Sequence, residues 1–315
     1  MKYERLKKLY EDRDLIDHYP KALNAVKQLG QYLLEKDLSL DSCQVNDLEL
    51  YMNHLIENKT NDLETLLALA RYYYVYDLKS QYIFFTSVLG GVGVIDSIKK
   101  KCQKLSSLEL MKRPELGLTP KRLTAYTHQF ISELKVLEPS VYRDILADNH
   151  HQLSESDMLT EKAFYEASES FEKYLKERHD RKILELQQHC DENKVWYEQL
   201  ITQETVDYVR SNQEILSGVI KEGFLYITKF PYNPDGVFNA TSKRDKRYHY
   251  CHCPFAKESI LTDNPVDAEW CYCSAGFAKF PFEVILGKKL NVTCLETVLA
   301  GDLRCRFRIE MEGNE

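Results

Sequence analysis

The chain has 315 residues, 43% hydrophobic and 29% charged, with a net charge of −7 at neutral pH. That composition belongs to a folded globular chain, and the length suits two domains or one domain with a helical extension. The acidic balance argues against a dedicated nucleic-acid binder, which would carry a strongly basic face, so a nucleic-acid partner is not expected. The longest apolar run, Tyr82 to Ile95, is interrupted by Thr86, Ser87 and glycines and is too short to cross a bilayer, so no membrane partner is expected either. The opening stretch from Met1 to Asp14 has no apolar core of the kind a secretory signal needs. Nine cysteines, an odd number, are then expected to be reduced thiols or metal ligands in a cytoplasm, not a disulfide framework.

The first third reads as helices. Ala22, Val26, Leu29 and Leu33 recur at helical spacing, Asp47 opens a second helix through Leu48, Tyr51 and Leu55, and Asn61 or Asp62 caps a third from Leu63 to Tyr76. A fourth runs from Gln81 to Leu89, and Gly90-Gly91-Val92-Gly93 breaks it. This order of helices, with an Asp-Leu-x-x-Tyr helix followed by a Leu-rich one running into Arg71-Tyr72-Tyr73, resembles the SAM-like core-binding domain of tyrosine recombinases. No His is followed by Arg three positions later, so the recombinase catalytic set is absent and strand exchange is not expected. The basic run Lys99-Lys100-Lys101 with Lys104 reads as a solvated helix end.

Arg113 to Pro120 holds two prolines and a glycine and marks a loop. Helices follow from Pro120 to Leu134 and from Ser140 to Leu146, and His150 and His151 read as surface residues with no ligand partner nearby. From Ser154 to about Ile220 the chain is helical and charged, as one long helix or two broken near His179-Asp180, with Asn193 interrupting before Trp196-Tyr197. Past Gly223 the character changes. Phe224 to Phe230 is a strand stopped by Pro231, and Phe282 to Leu286 a short helix closed by Gly287. A hairpin closes the chain, with Leu290, Val292 and Cys294 leading in, Ala300-Gly301-Asp302 turning, and Cys305, Phe307 and Ile309 returning. The expectation is an α+β protein: a helical bundle over 1–112, a helical linker over 113–200, and over 201–315 a cysteine-rich antiparallel sheet of about five strands with helices on one face.

Between strand and hairpin lie two Cys-x-Cys pairs, Cys251/Cys253 and Cys271/Cys273, interleaved with His249, His252, Trp270 and Tyr272. Aromatics at period two, stopped by Pro254 and Gly276, read as two short strands over Tyr248–Cys253 and Glu269–Cys273. Alternation would then gather four sulfurs on one face. Three fates stand open for them. They are small apolar residues packed between sheet and helix, the commonest fate of a free cysteine. They are the ligands of a closed structural site, for which zinc is the fitting ion, although i and i+2 on a strand lie about 6.6 Å apart and tetrahedral sulfurs must come within about 4 Å. Or one is a reactive thiol, with Cys273 or Cys253 as nucleophile and His249, on the face of Cys251 and Cys253, as base. Trp270, Tyr272 and His252 are candidate ligand-binding residues, while Cys294 and Cys305 are expected to be buried and inert.

The Cys251-His252-Cys253-Pro254-Phe255 and Trp270-to-Phe277 motifs, with the final Gly301-Asp302 turn into Cys305-Arg306-Phe307, resemble a widespread uncharacterised bacterial family. The layout of the last strands is similar to aminothiazoline-carboxylate hydrolases and to vinyl-reductase-type small-ligand sensor domains. That resemblance implies a fold and a place for a pocket. The function expected is a metal- or small-ligand-binding sensor or adaptor without turnover, its partner an unidentified small molecule or protein. The alternatives are a thiol-dependent hydrolase of small cyclic amides and a DNA-associated protein lacking recombinase catalysis.

Overall fold

A computed structural model describes residues 3–89, 91, 93–105, 114–118 and 120–311. The expected boundary at 112/113, Gly90 and Val92 of the expected helix break, and Thr119 of the expected loop lie outside the described residues. Contacts divide the chain into two compact units, Met1–Val92 with Pro114–Leu123, and Gly93–Arg113 with Thr124–Glu315.

In the first unit, α1 (Glu4–Asp12), α2 (Tyr19–Leu34), α3 (Val45–Glu57), α4 (Leu63–Val75) and α5 (Lys79–Leu89) form a bundle. The four helices read from apolar periodicity appear within a few residues of their expected limits. α1, of which only Leu6 and Tyr10 are buried, has no counterpart in the sequence reading. Asp62 is the N-cap of α4 and accepts from the Thr65 N–H at 2.9 Å. α4 lies against α2 and α5, and its fully buried Tyr73 stacks on Phe85 and places its hydroxyl 3.3 Å from Cys43 Sγ. Among the described residues one stretch, Lys79–Cys102, has the length and mean hydropathy (1.3) of a membrane span, with Gly91 and Gly93 in turns between its two helical parts.

The second unit begins with α6 (Val94–Leu105), holds α7 (Pro120–Leu137) from Thr124 onward, and continues with α8 (Tyr142–Leu146), α9 (Leu159–Glu166) and α10 (Phe171–Asp191). α10 runs unbroken through His179 and Asp180. Asn193, at φ 50°, then turns the chain into a small hairpin of β1 (Val195–Trp196) and β2 (Gln199–Leu200). Next come α11 (Gln203–Arg210), β3 (Val219–Lys221), β4 (Phe224–Thr228), α12 (Pro234–Phe238), α13 (Lys243–Tyr250), α14 (Tyr272–Leu286), β5 (Val292–Glu296) and β6 (Arg306–Glu310). β3 to β6 form an antiparallel sheet in the order β3-β4-β6-β5. Leu225 opposite Ile309 and Ile227 opposite Phe307 bury one face of it, and α14 packs on β5 and β6. This is the α+β arrangement that periodicity predicts. On the returning strand the alternation holds: Phe307 and Ile309 are buried, while Arg306 is paired with Glu214 through two 2.7 Å hydrogen bonds. Cys305 is buried, but Cys294 is only half-buried, next to a register shift between Cys294 and Glu296.

The strands expected over Tyr248–Cys253 and Glu269–Cys273 are not formed. Tyr248 to Tyr250 are the last turn of α13, and Glu269 to Cys273 run from a 3-10 turn into α14. The reason is capping. Ser242 accepts from the Asp245 N–H at 3.1 Å and Asp245 accepts from the Thr241 N–H, so a helix starts there and carries through Tyr250. Asp267 accepts from the Glu269 N–H at 3.0 Å and nucleates the second. α14 is apolar nearly all round, and such a run has no periodicity that separates a buried helix from a buried strand. The expected helix at Phe282–Leu286 is its last turn, closed by Gly287 at φ +66°.

Candidate functional site

With those strands goes the four-sulfur face. Cys271 and Cys273, two apart across a helix start, point to different sides, and Cys251 and Cys253 lie in the coil after α13. Among the described residues, no three His, Cys, Asp or Glu side chains group as a metal ion requires, so Cys251, Cys253, Cys271 and Cys273 are not gathered into the expected ligand set. They are nonetheless neighbours in a thiol-rich interior. Burial pushes the Cys251 and Cys273 thiols up to about 12, each raised further by the nearby Cys253. Burial also raises Cys271, with Cys305, Cys294, Cys251 and Cys253 adding to it. The thiols are protonated at neutral pH, and Cys253 Sγ accepts from the Trp270 indole N–H at 3.2 Å.

The remaining candidates separate. Trp270 is 1% exposed and packs edge-on against Phe130 and Phe255, so it belongs to the core. Tyr272 is half-buried under the Arg143 guanidinium. His249 lies on α13 between Asn233 and Asp245, with Nδ1 3.2 Å from Asn233 Nδ2 and Nε2 3.2 Å from Asp245 Oδ1, and among the described residues no thiol is its partner. His252 alone of the expected ligand-binding residues enters a polar cluster. It donates from Nε2 to the Phe230 carbonyl at 2.6 Å, which leaves Nδ1 unprotonated, and its ring stands 5.4 Å from that of Tyr232. Burial, the Lys229 ammonium and Lys257 hold it far below the usual histidine range.

The centre of this cluster is Lys229. β4 ends one residue before it, and its backbone N–H goes to the Cys305 carbonyl at 2.9 Å. The side chain reaches the first turn of α14, where Nζ donates to Ser274 Oγ at 2.7 Å and lies 5.6 Å from the Phe277 ring. From the other side comes His151, its ring 5.1 Å from Phe277 and its Nε2 3.6 Å from Cys273 Sγ. With the thiol protonated, S–H donates and Nε2 accepts, so the imidazole proton sits on Nδ1. The residue is exposed as a whole, but the groups packed about its ring, Phe277 among them, and the Lys229 charge draw its pKa down to about 4. Among the described residues no carboxylate stands at ion-pair distance from Lys229.

A second arm lies beyond His252. Lys257 Nζ sits between two aromatic faces, 4.3 Å from the centre of Tyr232 and 4.5 Å from that of Tyr248. Glu198, in the turn of the β1–β2 hairpin, hydrogen-bonds Tyr232, and burial holds its carboxyl above the usual range against that bond and the Lys257 charge. Tyr248 donates to Glu258 at 2.8 Å.

Sequence reading misses His151 and Lys229. His151 is brought in because α14 passes so close to the 147–148 backbone that a Cβ on Gly276 would stand 2.4 Å from the Asp148 carbonyl oxygen. The adjacent His150, also read as a surface residue, is 2% exposed, its Nδ1 2.9 Å from Ser97 Oγ and its Nε2 2.5 Å from the Ile145 carbonyl. Gly276 was the available signal, since a glycine inside a helix marks a close approach.

A family model described as a family of unknown function (DUF6144) matches residues 201–314. The matched span holds Lys229, His252, Cys273 and Ser274 and leaves His151 and Glu198 outside it. No curated protein and no solved structure matches the chain.

Proposed function

We propose that the second unit binds a small molecule without turning it over, as a sensor or adaptor, and that the ligand seats where Lys229, Ser274, His151 and His252 converge. The observation that carries this reading is the Lys229 ammonium, half-buried and without a carboxylate partner among the described residues. A charge held part-way out of water is costly unless something pairs with it, and the neighbours on hand are neutral. His151 and Phe277 are exposed, so the cluster opens to solvent. Nine unpaired thiols suit the reducing interior of a cell.

Turnover through the thiol is disfavoured because Cys273 is buried and its thiol is held above the ordinary range, while the groups packed about its ring and the Lys229 charge make His151 a weaker base, so proton transfer between them runs uphill. The test is a thermal-shift screen of small metabolites against the full chain and its Lys229→Met and His252→Ala variants. Compounds that stabilise the native chain and lose that effect in the variants are expected; hits indifferent to both substitutions would place the site elsewhere. One observation favours the thiol-hydrolase reading, the 3.6 Å contact between Cys273 Sγ and His151 Nε2. On that reading Cys273 would be alkylated by iodoacetamide faster than the other cysteines, and His151→Ala would slow it. Uniform protection of Cys273 would leave binding as the function.

A further inference from the structure

We infer that the ligand of this site is a small monoanionic organic acid, its acid group held by Lys229, Ser274 and His151. This rests on the small-ligand reading above and adds the chemical class.

The argument is a count of donors and charges. Lys229 spends one of its three N–H groups on Ser274 Oγ, which leaves two free to donate. Ser274, accepting that bond, keeps its own O–H to give. His151 accepts at Nε2 from the Cys273 thiol and so presents Nδ1–H as a donor. These four donors, two of them on the ammonium itself, match the acceptor capacity of a carboxylate.

Charge selects a single negative group. Lys257, beyond His252, already feels the acidic side chains of Glu198 and Glu258, whereas Lys229 has none at ion-pair distance among the described residues. One unbalanced cation calls for one anion. The Phe277 ring, 36% exposed and flanked by Lys229 and His151, supplies an apolar wall for the body of the acid.

The experiment measures binding of propionate and benzoate, each beside its primary amide, with benzylamine and inorganic phosphate as further probes, to the full chain at constant ionic strength by calorimetry. The acids are expected to bind at least tenfold more tightly than their amides. Lys229→Met should remove that margin, Ser274→Ala should reduce it, and Lys229→Arg should keep most of it. An acid bound no better than its amide, a preference for benzylamine, or an acid margin that survives Lys229→Met would each overturn the inference and leave the small-ligand reading standing. Phosphate bound more tightly than benzoate would overturn the monoanionic class. Silence of the whole panel and of the metabolite screen would remove both.

Discussion

At Gly276 the usual rule for a helical glycine reverses. Replacing glycine by alanine inside a helix ordinarily stabilises it by about 1 kcal/mol. Here the added carbon would lie 2.4 Å from the Asp148 carbonyl oxygen and 2.6 Å from the Ala147 carbonyl carbon, and backbone cannot rotate out of the way as a side chain can. Gly276→Ala is therefore expected to destabilise the second unit by about 1–3 kcal/mol and to displace the His150–His151 segment from α14. Urea denaturation gives the first quantity. The second is read from the contact between Cys273 and His151, as a change in the pH titration of the His151 ring. A variant as stable as the native chain would mean that α14 lies further from this segment than the structure has it.

Among the elements α14 carries the most, and a buried carboxylate anchors its far end. Glu283, whose side chain is 5% exposed, receives Lys279 at 3.0 Å, Lys289 at 3.1 Å and the Leu290 N–H at 3.1 Å. It thereby ties the helix to the segment that leads into β5. Glu283→Ala leaves the Leu290 amide without its acceptor and the Lys279 ammonium without its counter-charge, holding only the Leu290 carbonyl at 2.8 Å, at an expected cost of about 3 kcal/mol. Glu283→Gln, which still offers an oxygen to Leu290, should cost less. Equal unfolding midpoints for the two variants would mean that the amide bond counts for nothing. The same helix marks where sequence reading stops. The first-unit helices and the closing hairpin were legible because one face of each is wet, so Val26, Leu29 and Leu33, or Phe307 and Ile309, leave a period in the chain. The run from Trp270 to Phe282 is mostly apolar even where it meets solvent, as at the exposed Phe277. Its Cys271/Cys273 pair, like Cys251/Cys253 before it, imitates strand alternation, while the information that decides the matter is a cap, Ser242 before Asp245 and Asp267 before Glu269. Of the site, His252 was legible from its motif. Lys229 looked like any polar residue at the end of a strand, and His151, well over a hundred residues from Cys273 in sequence, is joined to it only by folding.

For the whole chain the two units are to be observed separately, since a single unfolding free energy is defined only for a chain that unfolds in one step. The tryptophans make this feasible: there are two, Trp196 and Trp270, both buried in the second unit and at most 7% exposed, so indole fluorescence reports that unit alone. Its stability should depend on pH in two successive windows. His150, His151, His179 and His252 are all drawn below the ordinary 6.5, chiefly by burial, and His151 and His252 by the Lys229 charge as well. A base whose folded pKa is depressed takes up its proton more readily unfolded, so its contribution is complete above 6.5 and is lost as pH falls below it. The carboxylates follow. Burial alone would raise Asp148, but the Lys101 ammonium at 2.5 Å and the Asn149 N–H outweigh it and hold Asp148 at about 2. Its contribution is complete above the ordinary 3.8, fades as pH drops toward 2, and is about 1 kcal/mol once screening at a part-exposed pair is allowed for. Urea midpoints read by tryptophan fluorescence should then be level from about pH 7.5 to about 7 and fall by about 1 kcal/mol per buried histidine by about pH 5.5. A further decline should begin below about pH 4. In Lys101→Met the second decline should shrink, while the first changes little, since burial outweighs the small Lys101 influence on His150. A midpoint that holds level down to pH 5 would show that His150 and His252 take up their protons inside the folded unit, and that the ring nitrogens at the Ile145 and Phe230 carbonyls are not confined as the structure has them.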